Sequence, residues 1–142
     1  MKKYLLLLLI SITFSGCSLE EENVRNVVYK MVPVESVMVP EEFVQGEEYT
    51  IVMNYRLPTN CHSFYGTEYE LNQSTAYFGI LTAFTERQEC QDISSEIKEA
   101  SFQFTVTRSE KYTFKFWRGV DEEGNALYLT KEIPVISFSE TK

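Results

Sequence analysis

Between Ala100 and Trp117 the side chains alternate almost residue by residue. Ala100, Phe102, Phe104 and Val106 share one parity, with Ser101, Gln103, Thr105 and Thr107 on the other. After Arg108-Ser109-Glu110, which reads as a short hairpin-type connection, the rhythm resumes: Tyr112, Phe114 and Phe116 against Thr113, Lys115 and Trp117. A period of two puts the first set on one face of a strand, and that face must be buried. A chain written this way is committed to packed sheets.

The same pattern extends upstream. Residues 27–32 run into Pro33 and residues 34–39 into Pro40; proline cannot donate to a ladder, so this reads as an edge strand kinked in two. Residues 44–48 are turn-like. Tyr49, Ile51, Met53, Tyr55 and Leu57 then fall on one face, and a less regular strand covers residues 61–71. Asn72-Gln73-Ser74 turns the chain. Residues 75–84 are apolar on both faces, as expected of a central strand. Residues 85–99 are polar, with Ile93 and Ile97 one helical turn apart, so a short helix is an open alternative there. Asp121-Glu122-Glu123-Gly124-Asn125 is a turn, and Pro134 marks the strand over residues 127–138 as an edge or bulge.

Seven strands joined by short turns point to an all-β antiparallel sandwich. The 142 residues suffice for one domain with a real core. Apolar types at 44% and charged types at 24% exclude wholesale disorder. The formal charge of −8 repels phosphate backbones and argues against nucleic-acid binding.

The first residues carry an address. Met1-Lys2-Lys3 is basic, and the apolar run over residues 5–12 is too short to span a bilayer as a helix. Phe14-Ser15-Gly16-Cys17 resembles the lipobox of bacterial lipoproteins, with Phe14 where that family usually has leucine. The resemblance implies a signal peptide over residues 1–16, cut before Cys17. Cys17 then becomes the lipid-bearing first residue, anchored at about 0.8 kcal/mol per buried methylene. Residues 17–26 form a polar tether. Ser18 looks like the second position of lipoproteins sent to the outer membrane. Glu20-Glu21-Glu22 is either a surface-export signal or solvated linker. The expected location is the cell envelope, anchored in the outer membrane and either periplasmic or surface-exposed.

Residues 27–138 are similar in strand count and order to immunoglobulin-like and fibronectin-III-like modules, followed by a tail over residues 139–142. Tyr112 is placed like the tyrosine of the corner motif in those folds. Phe114 stands where a true immunoglobulin domain has its second cysteine, and Trp117 lies on the sixth strand rather than the third. The resemblance is one of architecture and implies no particular ligand.

Residues able to carry chemistry are few. Once Cys17 is acylated, Cys61 and Cys90 remain as an even pair, and an oxidising envelope is expected to bridge them. A nucleophilic role for Cys90 is disfavoured because Glu89 and Asp92 oppose a thiolate. His62 alone cannot build a zinc site. The Asp121–Asn125 turn has oxygen ligands but lacks the spacing of a calcium loop. No phosphate loop or nucleophile elbow is present. The expectation is therefore a non-enzymatic interaction module without cofactor or metal, binding a protein or envelope component. The alternative is a glycan-binding accessory of a polysaccharide-uptake system that uses Trp117, Tyr65 and Tyr77, because flat rings cover apolar sugar faces at little entropic cost. Coverage of Trp117 by the neighbouring strand or by the 85–99 connection is the competing reading.

Overall fold

The computed structural model describes residues 26–87 and 89–136. The signal peptide, Cys17, most of the tether and the 139–142 tail lie outside the described residues. Ten strand segments follow in order: β1 (Val27–Val32), β2 (Val34–Met38), β3 (Phe43–Val44), β4 (Glu48–Arg56), β5 (His62–Asn72), β6 (Thr75–Thr85), β7 (Ile97–Thr105), β8 (Tyr112–Val120), β9 (Ala126–Ile133) and β10 (Val135–Ile136). No helix occurs among the described residues; the 85–99 segment makes only the isolated bridge Thr59–Asp92 before β7 begins.

The strands form two layers around one core. The smaller sheet is β2-β4-β7, all antiparallel. The larger is mixed: β5 flanks β6 on one side, and the other edge of β6 is shared. β1 takes residues 80–85 of that edge antiparallel, whereas β8 takes residues 75–78 parallel and carries β9 beyond it. A short parallel pair, β3 with β10, adds a third piece.

Three expectations are corrected here. The sandwich is not wholly antiparallel, because β6 and β8 run in the same direction and so do β3 and β10. Arg108-Ser109-Glu110 does not close a hairpin: β7 belongs to the smaller sheet and β8 to the larger, so the chain arches between layers. Alternation specifies which face is buried, but it is silent on which sheet a strand joins. Pro33 breaks the strand as expected, but the two halves are not one kinked edge strand: a single residue carries the chain from one sheet to the other.

The arch is held by Tyr112. Its hydroxyl accepts the backbone N–H of Thr107 at 3.2 Å and of Arg108 at 3.0 Å while its ring is 0% exposed. The amide of Val106 also donates to the carbonyl of Glu47 at 2.9 Å. Around this point the core is largely aromatic. Phe114, 0% exposed, lies within 4.9 to 6.2 Å, centroid to centroid, of Phe43, Phe78, Phe104, Tyr112 and Phe116. Ile51 and Met53 of β4 meet them from the smaller sheet. Thr82, buried in the same layer, donates its hydroxyl to the carbonyl of Lys30 at 2.8 Å, so its polarity is satisfied.

Two outcomes test this packing. Phe114→Ala is expected to cost about 3 to 5 kcal/mol, measured by denaturant unfolding; a loss under about 1 kcal/mol would mean the faces are wrongly assigned. Tyr112→Phe keeps the ring but removes the acceptor of two amides. It is expected to cost about 1 to 2 kcal/mol with an unchanged far-ultraviolet circular dichroism spectrum.

Candidate functional site

Strands β6, β8 and β9 send one parity inward and present the other on the face turned away from the smaller sheet. Across β6 the same-face rows can be read from the register. One row runs Glu70, Tyr77, Lys115, Thr130. The next runs Glu68, Gly79, then Trp117 one step beyond the last parallel pair Phe78–Phe116, then Tyr128. Gly79 therefore leaves a gap in the middle of a row of side chains. It also sits where the edge of β6 passes from β8 to β1. Met31 of β1 leans into the gap, and a Cβ at residue 79 would collide with its terminal methyl.

The outcome is an open depression of about 510 Å³ lined by Met31, Glu68, Tyr69, Glu70, Tyr77, Phe78, Gly79, Trp117 and Tyr128. Its walls differ in kind. The β5 side carries two carboxylates, and the β8–β9 side carries aromatic rings. Tyr77 and Tyr128 meet edge to face at 5.7 Å and 71°. The ammonium of Lys115 lies over both, 5.6 and 5.8 Å from their centroids. Trp117 is half-buried.

No known protein family, curated protein or solved structure matches this chain.

Of the three aromatic residues singled out from sequence, Trp117 and Tyr77 come together in the depression and Tyr65 does not. Tyr65 is 61% exposed in the bulge between Phe64 and Gly66, packed on Tyr29 at 4.5 Å. Its phenol, by charge and hydrogen bonding, pushes Tyr29 above the ordinary phenol value. The rings of Tyr77 and Tyr128 are not coplanar, so the face is a cup rather than a flat strip. Sequence reading missed Met31, Glu68, Glu70, Gly79 and Tyr128. A signal existed in Gly79, since a glycine inside an apolar strand marks a close approach or a missing side chain.

Cys61 and Cys90 are joined as a disulfide spanning 29 residues, with Cys61 buried. It pins the 85–96 connection beside the start of β5. The chain-entropy model gives such a closure about 3 to 4 kcal/mol. Asp121 is committed to its hairpin. Its carboxylate accepts the amides of Glu123 and Asn125 at 2.9 and 2.8 Å and the Asn125 side chain at 3.0 Å. Those bonds, the Asn125 side chain foremost, hold it below the usual carboxylate range.

His62 shares a hydrogen bond between Nδ1 and Thr59 Oγ1 at 3.0 Å and packs on Phe84 at 4.7 Å. Partial burial, and then the charge of Lys30, lower its pKa from the ordinary 6.5. The folded form thus resists the proton that the unfolded chain takes up near pH 6.5. Its contribution to stability is complete above that pH and is lost as the pH falls through the depressed folded value. An NMR titration of the His62 ring is expected to show a midpoint below 6.5, with Lys30→Met moving it part of the way back up. A midpoint at or above 6.5 in the native chain would contradict the burial of this ring.

Proposed function

We propose that this chain is a lipid-anchored, non-enzymatic interaction module of a bacterial cell envelope, built on an immunoglobulin-like sandwich, whose recognition surface is the outer face of the larger sheet. The observation that carries this reading is the depression at Gly79, an aromatic and acidic cup on the face that the second layer leaves uncovered. Surface concavities that pair rings with a few polar groups are the usual form of a binding site. The engagement of both described cysteines in a bridge supports a binding role rather than a catalytic one. The immunoglobulin-like reading is supported by the hydroxyl of Tyr112 at the arch, by the sheet switch at Pro33 and by the β8–β9 hairpin. The parallel β6–β8 pair departs from that pattern. The lipobox-like Phe14-Ser15-Gly16-Cys17 supports the anchor.

A second reading, glycan binding, draws on the half-exposed Trp117 with two carboxylates opposite it that can accept hydroxyl protons. Because the rings form a cup, this reading fits a single sugar unit better than a long flat chain.

Two arms test the proposal. In detergent-phase partitioning, the native protein is expected in the detergent phase and Cys17→Ser in the aqueous phase; a variant that stays with detergent removes the anchor. A photo-crosslinking side chain at Thr130, on the outer face, is expected to capture a discrete envelope component in intact cells. The same group at Thr105, exposed on the smaller sheet, is expected not to. Equal yields from both faces remove the recognition surface.

A further inference from the structure

We infer that the depression at Gly79 seats an organic cation, the lysine or arginine side chain of a partner protein. This rests on the reading of the outer face as a recognition surface and specifies its ligand. Three observations carry it.

First, the groups that bound the depression present negative charge or electron-rich faces: the carboxylates of Glu68 and Glu70, the rings of Tyr77, Trp117 and Tyr128, and the thioether of Met31. Among the described residues, no Lys or Arg forms an ion pair with either carboxylate. The walls stand on β5 and β8, two strand spacings apart, roughly 9 to 10 Å. That span admits an ammonium or guanidinium with its alkyl stem lying over Met31, whose side chain fills the gap at Gly79.

Second, the face already holds such a group. The chain's own Lys115 ammonium rests on Tyr77 and Tyr128, so these rings accept an alkylammonium in place. Indole is the strongest of the aromatic cation acceptors, and no cation of the described chain lies over Trp117. Two carboxylates against one ammonium leave the cup with one negative charge to be matched. A neutral sugar would match none of it.

Third, the apolar surface beside the cup calls for a macromolecule rather than a free amine. Met31 at the rim, 38% exposed, starts an apolar row on the same face of β1 that runs away from the cup through Tyr29 and Val27, 53% and 44% exposed. A small amine would fill the cup and leave that row wet. A polypeptide carrying apolar residues next to its basic one covers both.

Trp117 is the single tryptophan, so its emission reports the cup directly. The experiment titrates the full chain with a blocked Leu-Arg-Leu peptide, the uncharged isostere Leu-citrulline-Leu, n-butylguanidinium and maltotriose. A saturable emission shift is expected with Leu-Arg-Leu, about tenfold or more weaker with the citrulline form, and weaker with butylguanidinium. Glu68→Gln combined with Glu70→Gln is expected to weaken Leu-Arg-Leu by about tenfold or more with an unchanged thermal melt. Lys115→Met, which removes the resident cation, is expected to tighten it. Equal binding of the citrulline peptide, indifference to the double glutamine variant, or silence with every probe overturns the cation inference. Tighter binding of butylguanidinium than of the peptide overturns a protein source. A response to maltotriose alone also overturns the inference and leaves the outer face standing as a recognition surface. Equal crosslinking from Thr130 and Thr105 sinks that broader reading whatever the titrations show.

Discussion

The two sheets of this domain meet through rings. Phe43 of β3, Phe78 of β6, Phe104 of β7 and Tyr112, Phe114 and Phe116 of β8 occupy one contiguous cluster. Their mutual tilts, from near-stacked to edge-on, are the arrangements that aromatic quadrupoles favour. Everything else is arranged around that cluster. It fixes the inward parity of β8, and that in turn sends Lys115 and Trp117 outward. The hydroxyl of Tyr112 ties the arch that delivers β8 to the correct layer. The cup on the outer face is thus the reverse side of the core, and its walls are positioned by residues that never touch solvent.

Much of this was written in the chain. The alternation of Phe102, Phe104, Tyr112, Phe114 and Phe116 announced strands with a buried side, and Pro33 announced the break that became the sheet switch. The apolar character of residues 75–84 on both faces announced a central strand, and β6 has partners on either edge. The pairing of Cys61 with Cys90 was the expectation for the two thiols left once Cys17 is set aside, and the structure joins them.

What was not legible has a common cause. Parity tells a strand which way its side chains point, but it does not name the neighbour. The 108–110 segment therefore looked like a hairpin when it is an arch, and nothing in β6 or β8 separately indicates that they run parallel. The cup shows the same limit. Glu68 and Glu70 look like solvated charge along β5, and Tyr128 like an ordinary strand residue. Only the register that aligns Glu68 with Gly79, and Trp117 with Tyr128, turns four scattered residues into two facing walls.

The one-residue passage at Pro33 also has a mechanical meaning. β1 lies along the edge of β6 in the larger sheet, and β2 lies along β4 in the smaller, with nothing but the proline between them. A pull applied along the axis of β1 would strain the whole β1–β6 ladder sideways at once instead of unzipping it rung by rung. Past Pro33 the load passes to the opposite layer. The two sheets then resist in series, like a strap stitched to both halves of a clasp.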